Sequence, residues 1–232
     1  METSEEITKQ VNSTDNLSIL LYYLTPKIEN HIENIIFAIT IKHQRSNLQN
    51  TIYTAVKEMI INGIKANIKK IFFEENFLDI TDAGDYKFGM GVIKKRTSDD
   101  WIKEYGQKAK EQNIKVQANF HYNENGLRVD VVNDVPLLSF EEKRIRKKLL
   151  EGDKYNDIVD YYKKHSDQTE GEGLGLVLNL LLLKSENMDP NLFRIGVING
   201  KTISRIEFPF SNEFISFRGE SPDINGELEI LL

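Results

Sequence analysis

The stretch Phe193-Arg-Ile-Gly-Val-Ile198-Asn199-Gly200-Lys201-Thr202-Ile-Ser-Arg-Ile-Glu-Phe208 decides the fold class. Phe193–Ile198 and Thr202–Phe208 are short runs rich in β-branched and aromatic residues, which predicts two strands. Asn199-Gly200 between them suits the positive φ angles of a tight hairpin turn. Strands joined by so short a turn must be antiparallel. A second hairpin is predicted upstream, with Ile114–Tyr122 and Leu127–Val132 flanking the turn Asn123–Gly126.

Helical patterns surround these hairpins. Residues 27–42 carry Ile28, Ile32, Ile35, Ile36 and Ile39 at helical spacing, and Pro26 suits a first turn. A longer helix is predicted over Leu48–Ala66. Further helices are expected over 17–24, 100–112, 140–150, 155–164 and 174–185. Ile71–Phe73 has strand character, and 75–95, with Gly84, Gly89 and Gly91, reads as loop. Residues 1–16 are polar and expected to fray. Antiparallel hairpins mixed with helices predict an α+β two-layer sandwich with an N-terminal helical extension, rather than a doubly wound parallel sheet. The expected division is a helical docking or dimerisation extension over 1–47, a main domain over 48–212 and a tail over 213–232.

Composition narrows the function classes. The chain has 232 residues and no cysteine, which excludes disulfides, thiolate metal sites and cysteine nucleophiles. Thirty basic residues against 36 acidic ones give a net charge of −6, which argues against general nucleic-acid binding. No apolar run approaches the roughly 20 residues of a membrane-spanning helix. The start, METSEEITKQ, lacks the basic and apolar regions of a secretory signal, so a cytoplasmic location is expected.

Three stretches carry chemistry. In Glu58-Met-Ile-Ile-Asn62-Gly-Ile-Lys65, the residues Glu58, Asn62 and Lys65 fall within one helical sector about 60° wide. An amide oxygen can hold Mg²⁺, a carboxylate can activate a water, and an amine can meet phosphate. The same spacing also suits a solvent-facing stripe. The second stretch, Gly171-Glu-Gly173-Leu174-Gly175-Leu176, opens an apolar helix. Its glycines let backbone approach a ligand, and a helix N-terminus offers free N–H groups to phosphate. An ordinary glycine-rich turn is the alternative. The third, Val129-Asp-Val131-Val132-Asn133-Asp134-Val135-Pro136, is a strand ending in polar residues. Such an end can read a base edge or form a plain Asx turn.

In this order, and closed by strands ending at Pro209, the three motifs resemble the GHKL ATPase superfamily of histidine-kinase-like ATPases. The resemblance spans about 48–210. It implies the Bergerat-type ATP-binding fold, a two-layer sandwich that holds ATP between helices under a lid, here about 138–170. It implies ATP and Mg²⁺ as ligands, with Asn62 as the metal ligand, Lys65 near the phosphates and Glu58 as general base. Gly171, Gly173, Leu174 and Gly175 match the glycine box that meets the phosphates. Asn133, or Asp134 after a one-residue shift, matches the aspartate that accepts from adenine. Two glycines expected after that position are replaced by Val135 and Leu137.

The implied activity is ATP hydrolysis or phosphorylation of a protein partner in cytoplasmic signalling. A catalytically inactive, nucleotide-gated interaction module is the alternative. Expected partners are ATP and a protein, with a homodimer also considered; nucleic acid and membrane are not expected. No phosphoacceptor is evident. His31 sits on a helix ahead of the motifs, but Ile32-Glu33-Asn34 does not match the acceptor box.

Overall fold

Burial along the central strands alternates with period two, so one face of the sheet is dry and the other polar. The computed structural model describes residues 3–96, 98–165, 174–216 and 229–231. Its strands are β1 (Asn16–Leu21), β2 (Val116–Tyr122), β3 (Gly126–Asn133), β4 (Phe193–Ile198), β5 (Lys201–Pro209) and β6 (Glu229–Leu231). They form one antiparallel sheet in the order β1-β2-β3-β5-β4-β6. Asn199 and Gly200 have φ of 50° and 73°, as the predicted hairpin turn requires. Val116, Ala118 and Phe120 of β2, Leu127, Val129 and Val131 of β3, and Ile206 and Phe208 of β5 supply the buried face. On the opposite face Asp130 pairs with Arg205 at 2.5 Å and Arg128 at 3.2 Å, and Asn119 accepts from Ser18 and Gln117.

The helices are α1 (Ser4–Ser13), α2 (Pro26–Lys42), α3 (Gln49–Glu75), α4 (Ala83–Lys95), α5 (Asp99–Glu111), α6 (Ser139–Gly152), α7 (Ile158–His165) and α8 (Leu174–Ser185). The fold is therefore α+β, with helices packed on the apolar side of an antiparallel sheet. α3 is the central helix. It lies against β2, β3 and β5 and is flanked by α2, α4, α5 and α8. Gly63 lets it come close to the sheet: a Cβ there would lie 3.2 Å from Cγ2 of Val116 and 3.5 Å from Cβ of Asn133. No helix among the described residues is long and apolar enough to cross a membrane.

Four local expectations are corrected. Residues 17–24, expected as helix, supply β1, because Leu17, Ile19 and Leu21 alternate and pair along β2. Residues 1–16, expected to fray, contain α1, whose Ile7 and Val11 are buried in the common core and whose Thr3 and Glu6 form a capping box. Ile71–Phe73 is not a strand but the continuation of α3, since nothing breaks the helix between Ala66 and Glu75. The expected loop over 75–95 contains α4, which is capped by Asp82 accepting from the backbone of Gly84 and Asp85 at 2.8 and 2.9 Å.

Candidate functional site

α3 and α8 pack side by side and run in opposite directions. Gly175 at the start of α8 meets Glu58 and Asn62, while Thr51, two turns earlier on α3, donates to Glu186 just beyond α8 at 2.6 Å. The contact at Gly175 is close. A Cβ there would sit 2.3 Å from Oε2 of Glu58 and 3.4 Å from Nδ2 of Asn62. Glycine lets the first turn of α8 close over this carboxylate and this amide as they stand; a Cβ would require the flexible Glu58 carboxylate to turn aside. A carboxylate beside a helix N-terminus is electrostatically favoured. Among the described residues Glu58 has no hydrogen-bond or ion-pair partner, and Nδ2 of Asn62 is buried without one. Unpaired buried polar atoms are costly, so the Asn62 amide nitrogen is held ready for something outside the chain or for water, while the half-buried Glu58 carboxylate is open to solvent.

Asn133 approaches from the sheet. It ends β3, opposite Val116 of β2 and Thr202 of β5, and its Cβ lies behind Gly63, the residue after Asn62. Its amide nitrogen donates to the carbonyl of Val135 at 3.2 Å, and the Thr202 hydroxyl donates to the same carbonyl at 2.6 Å. Asp134 turns elsewhere. Its carboxylate accepts from Nζ of Lys201 at 2.7 Å and from the backbone of Lys115 at 3.1 Å. Burial alone would raise its pKa, but Lys201 and the Lys115 N–H outweigh that and hold it below the usual carboxylate range.

Of the residues singled out in the sequence, Glu58, Asn62 and Gly175 therefore converge, while Asn133 lies on the sheet side of α3, behind Gly63. Leu174 opens α8 and packs with Tyr161, Val177 and Leu181. Lys65 is exposed. Asp134 is engaged by Lys201. Gly171 and Gly173, and the part of the expected lid over 166–170, lie outside the described residues.

Three further groups escaped the sequence reading. Lys69 stands seven residues after Asn62, on the same side of α3. It is buried and forms an ion pair with Glu141 near the start of α6. Glu141 also accepts from the hydroxyl of Tyr86 at 3.0 Å and the backbone of Leu138 at 3.2 Å, so α3, α4 and α6 meet at one carboxylate. Burial raises the Glu141 pKa, but the Lys69 charge and these hydrogen bonds win and lower it; burial and Glu141 push Tyr86 up to about 12. Asn179, one turn after Gly175 on the same side of α8, is fully buried with neither amide atom paired. The signals were present: a lysine in phase with Asn62, and a lone amide inside Leu174–Leu183.

Among curated proteins, the chain is 27% identical over 206 residues to an uncharacterized protein of Treponema pallidum (strain Nichols). The match covers 89% of this chain and 40% of that protein, so the chain spans about two fifths of its relative's length. No family model matches the chain, and no solved structure matches it.

No cluster of three or more His, Asp or Glu residues able to hold a metal by itself occurs among the described residues. Mg²⁺ keeps several waters and takes one or two protein oxygens plus phosphate oxygens, so the Asn62 amide oxygen and the Glu58 carboxylate would suit an ion that arrives with a nucleotide, while the unpaired Nδ2 of Asn62 is a donor suited to phosphate.

Proposed function

We propose that the chain is a Mg²⁺-dependent ATP-binding protein of the histidine-kinase-like type, built on the Bergerat-type fold, that hydrolyses ATP or phosphorylates a protein partner in the cytoplasm. The observation that carries this reading is the closure of Gly175 over Glu58 and Asn62. It sets a carboxylate and an unpaired amide against the first turn of a helix, where phosphate would also be favoured. Asn62 holds the ion through its amide oxygen, and Glu58 takes the proton from the attacking water or hydroxyl. The ion, when bound, offsets charge on the phosphates. The exposed Lys65 is long enough to swing toward them. Asn133 offers its amide oxygen to the adenine amino group while its nitrogen stays on Val135.

The test is calorimetric titration with a non-hydrolysable ATP analogue and Mg²⁺, followed by turnover of the Glu58→Ala protein. Saturable binding that survives the substitution, with turnover lost, is the expected result. Absence of binding at millimolar nucleotide overturns the reading. A second reading is a nucleotide-gated interaction module without catalysis. It is favoured by the bulk of Val135 and Leu137 where the superfamily keeps glycine, and it requires binding with no phosphate release.

A further inference from the structure

α4 contains two glycines whose circumstances differ. A Cβ at Gly89 would lie 2.5 Å from the ring of Phe73 on α3, so close packing inside the molecule demands glycine there. A Cβ at Gly91 would meet nothing within 4 Å. Glycine in an exposed helix destabilises it relative to alanine, and nothing inside the chain compensates at this position. What glycine permits is close approach by a backbone from outside. Gly91 lies in the outward stripe Gly84, Lys87, Phe88, Gly91, Val92 and Lys95, which follows the i, i+3, i+4, i+7 spacing of one helix face. The stripe lines an open depression of about 510 Å³, and Phe88 within it is 63% exposed.

The charges along α4 say what fits. Acids (Asp79, Asp82 and Asp85) gather at its N-terminal end, and Lys94, Lys95 and Arg96 at its C-terminal end. A uniformly acidic partner would leave the acidic end unmatched, and an anionic lipid surface would repel it. An identical helix running the other way matches both ends. The outward stripe is also symmetric about the point between Gly89 and Met90: 84 mirrors 95, 87 mirrors 92, and 88 mirrors 91.

We propose that α4 is a dimerisation helix that pairs antiparallel with α4 of a second copy of this chain. About the two-fold, the two Phe88 rings lie side by side on one flank, each also against the partner's Val92. On the other flank the Gly91 backbones approach, each crossed by the apolar stem of the partner's Lys87, whose ammonium reaches solvent. Asp85, which mirrors Lys94, stands two residue-rises (about 3 Å) from the level of the partner's Arg96 on the same flank, within reach of the long arginine side chain, and the pair occurs twice by symmetry. Antiparallel packing also opposes the helix dipoles. A helix of 13 residues spans only about 20 Å, so the interface is at the small end and the dimer dissociates on dilution. None of this depends on nucleotide binding.

The test is sedimentation equilibrium of the full chain, without nucleotide, from low micromolar to sub-millimolar concentration. A monomer–dimer equilibrium is expected. Phe88→Ser and Gly91→Leu should each weaken it at least tenfold without lowering the melting temperature at dilute concentration. Asp85→Arg and Arg96→Asp should each abolish it alone, and an equimolar mixture should restore a heterodimer, because each then meets the opposite charge. Asp85 also accepts from the backbone of Asp79 at 2.8 Å, so if Asp85→Arg melts lower, Phe88→Ser and Gly91→Leu decide the matter. A chain that stays monomeric throughout, a dimer indifferent to Phe88→Ser and Gly91→Leu, or a monomer that instead binds phosphatidylserine vesicles overturns the proposal.

Discussion

Replacing Lys69 by methionine removes the cation from the buried pair that ties α3 to α6. Lys69 and Glu141 have side chains only 10% and 7% exposed, so the substitution leaves a carboxylate facing Tyr86 and the Leu138 N–H with no counter-charge. Removing one partner of a buried ion pair costs about 3–5 kcal/mol. In a chain of this size each kcal/mol moves the melting temperature by roughly 2–4 °C, so Lys69→Met should melt roughly 6–20 °C lower at pH 7. The pH dependence identifies the cause. The folded pKa of Glu141 is depressed, so the stability it contributes is present above the unfolded carboxylate pKa and is lost as pH falls through the folded one. The gap between the two proteins in calorimetric scans should therefore narrow as pH is lowered below about 4, the unfolded carboxylate range. Lys69→Met/Glu141→Leu should recover most of the loss, because an apolar pair of similar volume replaces a buried ion pair at little cost. A loss below about 1 kcal/mol at neutral pH, or a gap that does not change on acidification, would refute the reasoning.

Two other substitutions probe the helix pair at the candidate site. Asn179→Leu removes two buried unpaired amide atoms and should stabilise the protein by about 1–2 kcal/mol in denaturant titration; destabilisation would mean that the amide has a partner, such as a bound water. Gly175→Ala places a methyl where the Glu58 carboxylate lies; that carboxylate ends a flexible, half-buried side chain and can turn aside, so the cost should stay below about 1 kcal/mol and should vanish in a Glu58→Ala background, and strict additivity in the double-mutant cycle would deny the contact.

Much of the scaffold was legible because its signals are local. Asn199-Gly200 can adopt positive φ at little cost, so the hairpin of β4 and β5 is written in two residues. The apolar run after Leu174, broken only by Gly175 and Asn179, predicts α8 and its end at Ser185. Misreadings occurred where distant contacts outweighed local preference. Three glycines argued against a helix over 83–95, yet Gly89 is what lets α4 pack on Phe73. Leu17, Leu20, Leu21 and Leu24 fit helical spacing as well as strand alternation, and only the edge of β2 chooses between them.

The sequence by itself determined the antiparallel α+β class and the alignment of Glu58 with Asn62, since a turn type and a 3.6-residue period depend on neighbours in the chain. It also excluded thiol chemistry. Tertiary structure decided which candidates meet. Gly175 reaches Glu58 only because α8 returns antiparallel beside α3, and Gly63 meets Asn133 because α3 lies directly on the sheet. Lys69 became a structural ion pair and Lys65 an exposed one-turn neighbour, although both are lysines on one helix. Their difference rests on Glu141, 72 residues further along the chain, whose position no local rule can supply.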